Sequence, residues 1–123
     1  MRKYVAAACA ISALMLSGSG LAQQAGAAAP KKEVTGKDIA FDRKKGNCLA
    51  CHAMPTVPDA QSAGLYGPPL IAMSARYPSK AAMRAKIWDP TVSNPTTSML
   101  PYGKHQILTE AEIDKVTDFV YGL

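Results

Sequence analysis

Cys48-Leu49-Ala50-Cys51-His52 is the place in this sequence where residue types and spacing define a chemistry. C-x-x-C-H is the attachment signature of c-type haem. Two thiols at this spacing add to the two vinyl groups on one edge of a porphyrin. The histidine directly after the second thiol then brings its imidazole to the iron. Three other readings use the same residues. A C-x-x-C pair can be a thioredoxin-like redox centre, but no βαβ pattern surrounds it. It can be half of a zinc site, but no second cysteine pair follows, and His52 and His105 are the only histidines. It can be a plain disulfide, which leaves His52 unexplained. The expectation is therefore one covalent haem c on Cys48 and Cys51, with His52 as an axial ligand of the iron.

A second axial ligand must come from elsewhere. A His–Met pair raises the reduction potential and suits electron transfer. Met99 is the preferred candidate, because Pro101 and Gly103 stiffen the loop Ser98-Met99-Leu100-Pro101-Tyr102-Gly103 that would present its thioether. His105, Met73, Met83 and an open site remain alternatives. Met54 lies too close to His52 to reach the other face. His52 needs an acceptor for its second ring nitrogen, which orients the ring and tunes the metal. The backbone carbonyl of Pro68, in Gly67-Pro68-Pro69-Leu70, is a candidate; a Pro-stiffened turn with no such role is the other reading. Trp88 and Tyr102 are candidates to pack on the porphyrin edge, or are ordinary core aromatics.

These residues need a scaffold. The chain has 123 residues, 48% of them apolar and 19% charged, which is a single globular domain by length and composition. Residues 1–22 read as a signal peptide, with cleavage as late as residue 29. Arg2 and Lys3 precede an apolar stretch, and small residues follow it. Cys9 falls inside that stretch and would be lost with it, so export to the periplasm would leave a mature chain whose two cysteines are both in the motif. Removing Arg2 and Lys3 lowers the net charge from +5 to +3. That is too small and too dispersed for nucleic-acid binding, and Arg43-Lys44-Lys45 is better read as a solvated face or a rim for an acidic partner. No later apolar run is long enough to span a bilayer as a helix.

Residues 23–34 read as a flexible leader and 35–123 as the folded domain, which is expected to be all-α, with three to four helices and long loops around the haem. Thr35 caps a first helix that runs to about Lys45, ended by Gly46-Asn47. Residues 53–78 read as loop with one short turn. Ser79 caps a helix over Lys80–Trp88 that Pro90 stops, and 89–108 is a second long loop. Thr109 and Glu112 form a capping box for a last helix, whose apolar stripe is Ile113, Val116, Thr117 and Val120. Loops this long in so small a domain are accounted for by a cofactor they enclose.

The motif C-L-A-C-H, the later G-P-P-L, M-L-P-Y-G and the amphipathic C-terminal helix resemble the class I cytochromes c over residues 35–123. Phe41 and Gly36 lie further upstream of the motif than that family usually has them, which leaves the packing of first against last helix open. The run Phe41-Asp42-Arg43-Lys44-Lys45-Gly46-Asn47 before the motif, Ile87-Trp88-Asp89, Met99 through His105, and Ile107 to Tyr121 are similar, in order, to the SoxX family, the monohaem subunits of SoxAX sulfur-oxidation cytochromes. Leu100 departs from that family, which has proline directly after the methionine. The resemblance implies a heterodimer with the haem subunit SoxA. It implies L-cysteine S-thiosulfotransferase activity, coupling thiosulfate oxidatively to the SoxYZ carrier, with electrons passed to an acceptor cytochrome c. The residues agree on one point. With both cysteines spent on haem, the mature chain has no thiol nucleophile, so no catalytic residue is expected on it and the sulfur chemistry belongs to SoxA. A free periplasmic electron shuttle feeding an oxidase is the alternative, and a haem sensor or peroxidase with an open distal site is a third.

Overall fold

The computed structural model describes residues 32–123. The proposed signal peptide, Cys9 and most of the leader lie outside the described residues. Helix α1 spans Gly36–Phe41, α2 Met73–Arg76, α3 Lys80–Trp88 and α4 Glu110–Tyr121, with single 3₁₀ turns at Cys48–Ala50 and Pro90–Val92. No strand occurs among the described residues, and none of their helices is long and apolar enough to cross a membrane.

Local chemistry sets most boundaries. The Thr109 hydroxyl accepts from the Glu112 N–H, and the Glu112 carboxylate accepts from the Thr109 N–H, closing the expected capping box of α4. Ser79 caps α3 through the Ala82 N–H, and Trp88 is its last residue, as the sequence suggests. The first helix is shorter than expected and ends at Phe41 rather than near Lys45. The cause is Asp42. Its carboxylate takes the Lys44 N–H at 2.8 Å, and its backbone turns to an extended conformation. Aspartate competes in this way with continued helix. The Gly46 N–H then returns to the Ile39 carbonyl, and Asn47 sits in the left-handed region at φ 46°.

Helices α1 and α3 both pack on α4, which buries Ile113, Val116, Thr117 and Val120. These are the four residues of the expected stripe. The α1–α4 crossing is built from the two residues whose upstream position was unusual. A β-carbon on Gly36 would lie 2.0 Å from the Lys115 carbonyl oxygen, so only glycine admits this approach. The Phe41 ring meets Phe119 edge-on, with centroids 6.5 Å apart. Ile39, Met54, Leu70, Met73, Met83, Ile87 and Leu108 complete the core.

The Thr117 hydroxyl is buried in this layer with no hydrogen-bond partner among the described residues. Thr117→Val keeps the shape and the helix propensity and removes the unmet group. It should stabilise the protein by about 1 kcal/mol, read as a higher urea midpoint at unchanged m-value.

Candidate functional site

Cys48 to His52 form a tight helical turn, with the Cys51 and His52 N–H groups both donating to the Cys48 carbonyl. The segment 64–70 runs alongside this turn. Gly64 N–H donates to the Leu49 carbonyl at 2.7 Å, Gly67 N–H to Cys51 at 2.7 Å and Leu70 N–H to Ala53 at 2.8 Å. Three backbone bonds thus fasten the Gly-Pro-Pro loop to the motif. They bring the Pro68 carbonyl within 2.7 Å of His52 Nδ1. With the proton on Nδ1, the ring donates there and leaves Nε2 as the nitrogen able to bind a metal. Arg76, at the end of α2, donates to the adjacent Pro69 carbonyl at 2.8 Å and holds the loop from its other side.

Gly67 owes its identity to the imidazole. A β-carbon there would lie 2.4 Å from His52 Cε1 and 2.6 Å from Nδ1. The sequence offered a glycine before two prolines as a hint of a turn; what it positions against is a ring fifteen residues upstream.

Cys48, Cys51, His52, Pro68 and Met99 all line one cavity of about 700 Å³. That size suits a site that encloses a large organic ligand. Its wall is largely apolar, including Leu70, Ile87, Leu108, Val116 and Val120, and cations from Arg43 to Lys45, Arg76 and Lys86 also line it. An apolar chamber with two thiols and an oriented imidazole on its wall fits a porphyrin with a central iron and charged substituents. Cys48 and Cys51 are not joined in a disulfide, and no cluster of three Cys, His, Asp or Glu able to hold a metal ion occurs among the described residues. Burial pushes the Cys48 thiol up to about 11. Redox-active C-x-x-C pairs show the opposite shift.

Met73, Met83 and Met99 line the cavity; Met54 is in the core, and His105 is exposed and is not among the lining residues. Arg76 also donates to the Met73 sulfur at 3.4 Å. Met83 is 2% exposed on α3. Met99 is half-buried in a loop whose C-terminal flank is held firmly. Beyond it, Tyr102 donates from its hydroxyl to the Gly46 carbonyl at 2.7 Å, next to the motif, and the Gly103 and Lys104 N–H groups donate to the Trp88 carbonyl. Burial pushes the Tyr102 hydroxyl up to about 12, which keeps it a donor. Tyr102 lines the cavity; Trp88 lies against Gly103, where a β-carbon would be 2.1 Å from its ring.

The same loop is tied to the end of α3 by charge. Asp89 pairs with Lys104 at 2.8 Å and accepts the Thr91 N–H at 3.0 Å. Lys104, and then Thr91, hold its carboxyl below the usual range. A carboxyl depressed on folding contributes stability above its unfolded value of about 3.9 and loses it as pH falls through the folded value. Asp89→Asn should therefore destabilise the protein at pH 7, and the gap from the parent should shrink on acidification below about pH 4, in urea titrations across that range.

No protein-family model matches the sequence. No curated protein matches it. Among solved structures, it is similar to a chain in the crystal structure of SoxXA from P. pantotrophus, at a TM-score of 0.63 and 24% identity, over 70% of this chain and 77% of that one. The fold is all-α and is shared with that chain. The long connections of this fold form much of the wall of its cavity. Four features escaped the sequence reading: the contact of Gly67 with His52, the Arg76–Pro69 bond, the Tyr102–Gly46 bond, and a hydrogen bond of 2.9 Å between the Tyr66 hydroxyl and Ser98 Oγ.

Proposed function

We propose that this chain is a periplasmic monohaem cytochrome c, the electron-transfer subunit of a SoxAX complex. One observation carries the reading. The C-x-x-C-H turn, with its histidine already oriented by the Pro68 carbonyl, lines the same cavity as the Met99 loop, in a fold similar to a SoxXA chain. Cys48 and Cys51 would hold haem c through thioethers, and His52 and Met99 would be the axial ligands. Bound there, the haem supplies a one-electron couple, and a His–Met pair places it in a high range suited to accepting electrons. The chain's own part is to hold the imidazole in one tautomer, to keep water from the cofactor with the apolar wall, and to present the thioether from a braced loop.

In this role the chain takes electrons released when thiosulfate is coupled to the SoxYZ carrier and passes them to another cytochrome c. It would contribute to L-cysteine S-thiosulfotransferase as a subunit, while SoxA carries the sulfur chemistry. The reading is supported by the sequence blocks shared with the SoxX family and by the absence of a cysteine outside the motif in the proposed mature chain.

The test is copurification of the tagged chain from the periplasm of thiosulfate-grown source cells. The expected result is a larger haem subunit at equal stoichiometry, and haem reduction on adding thiosulfate with SoxYZ. A haem-loaded monomer with no partner would instead favour the free shuttle.

A further inference from the structure

Met99 sits at the centre of a short segment with little of its own to hold it. Among the described residues, Ser98, Met99 and Leu100 make no backbone hydrogen bond to another backbone group, and the Met99 N–H donates locally to Thr97 Oγ1 at 3.1 Å. Among the described residues, the hydrogen bond that ties this segment to a distant part of the chain is the one between Ser98 Oγ and the Tyr66 hydroxyl. Tyr66 is 78% exposed, so packing does not account for its position. Its backbone, however, is well fixed. It precedes Gly67 and Pro68, in the loop that three backbone bonds fasten to the C-x-x-C-H turn. The side chain therefore reaches from the segment that orients His52 to the segment that carries Met99, and both Tyr66 and Ser98 line the cavity.

We infer that Tyr66 is a positioning residue, a strap whose hydroxyl holds the Met99 loop on the cavity and sets how often the thioether leaves the iron. The inference rests on the reading of Met99 as axial ligand. One hydrogen bond of this kind changes an open–closed equilibrium by about two- to tenfold. Such a change is too small to alter the fold, yet large enough to control entry of an outside ligand. The strap would thus bias the protein toward electron transfer and away from ligand binding.

The experiment uses the haem-loaded full chain in its ferric state, with imidazole as the probe. Displacement of the thioether is followed by loss of its absorption band, at imidazole concentrations where loop opening limits the rate. Tyr66→Phe and Ser98→Ala should each raise that rate about two- to tenfold, and the double variant should be no faster than either alone. The unfolding equilibrium of Tyr66→Phe should shift by no more than the same two- to tenfold, and a larger loss of stability would mean general loosening and overturn the strap. Unchanged rates in a protein that shows the band, or effects that add in the double variant, would overturn the strap alone. A parent protein with no thioether band would overturn the ligand reading and the strap with it.

Discussion

Met99→Ala should abolish the thioether–iron absorption band of the haem-loaded protein and lower its reduction potential. The expectation follows from what each methionine is already doing. Three of them line the cavity. The Met73 sulfur faces the Arg76 guanidinium, and Met83 is a core residue of α3 at 2% exposure. Moving either toward an iron would break helix packing. Met99 lies half-buried on a loop whose C-terminal flank is fixed by Tyr102 on Gly46 and by Lys104 on Asp89. It can present a thioether without disturbing a helix. Axial ligands set haem potentials over a range of about 0.8 V, and methionine opposite histidine lies toward the upper part, so the fall should be a sizeable fraction of that range. Met73→Leu and Met83→Leu are the controls and should keep the band. A band that survives Met99→Ala and disappears in a control would transfer the role to that residue.

The elements were legible where their determinants are local. The caps Ser79 and Thr109 lie within three residues of the N–H groups they satisfy, and the stripe of α4 repeats at helical spacing, so α3 and α4 could be read from the chain alone. The end of α1 is not legible in the sequence, because Asp42 is itself compatible with helix and its competing bond to Lys44 depends on the turn it creates. At the site, Pro68 could be named as an acceptor because Gly67-Pro68-Pro69 announces a rigid carbonyl after the motif. The bonds that place it, from residues 64, 67 and 70 to residues 49, 51 and 53, join backbone groups and leave no mark on side-chain identity. The Tyr66–Ser98 and Tyr102–Gly46 bonds span 32 and 56 residues, and no periodicity pairs such positions. Among the methionines, the sequence could set Met54 aside by proximity to His52. It could not show that three others share one cavity, since that depends on how α2, α3 and the late loop meet.

Gly67→Ala should displace the His52 imidazole from the Pro68 carbonyl and destabilise the protein. The new β-carbon would stand 2.4 Å from His52 Cε1 and 2.6 Å from Nδ1, far inside contact distance. Gly67 does not have a positive φ, so alanine meets no backbone penalty and the clash with the ring is the whole effect. Relief requires movement of the ring or of the loop. The loop is held by its bonds to Leu49, Cys51 and Ala53 and by Arg76 on Pro69, so the imidazole should turn and leave the Pro68 carbonyl. Overpacking costs about 1–3 kcal/mol, and losing the histidine's hydrogen bond adds about 1 kcal/mol. Denaturant unfolding of the haem-loaded protein should show a loss of that order. Pro68→Ala is the informative comparison. It leaves the carbonyl in place and removes only chain stiffness, which is worth about 0.4–1 kcal/mol. The two variants should also differ at the iron. A histidine that no longer donates from Nδ1 is a weaker, less oriented ligand, so Gly67→Ala should shift the potential while Pro68→Ala leaves it close to the parent. Equal and small effects from both would mean that the loop gives way more easily than the ring, and that the Pro68 carbonyl does not tune the iron.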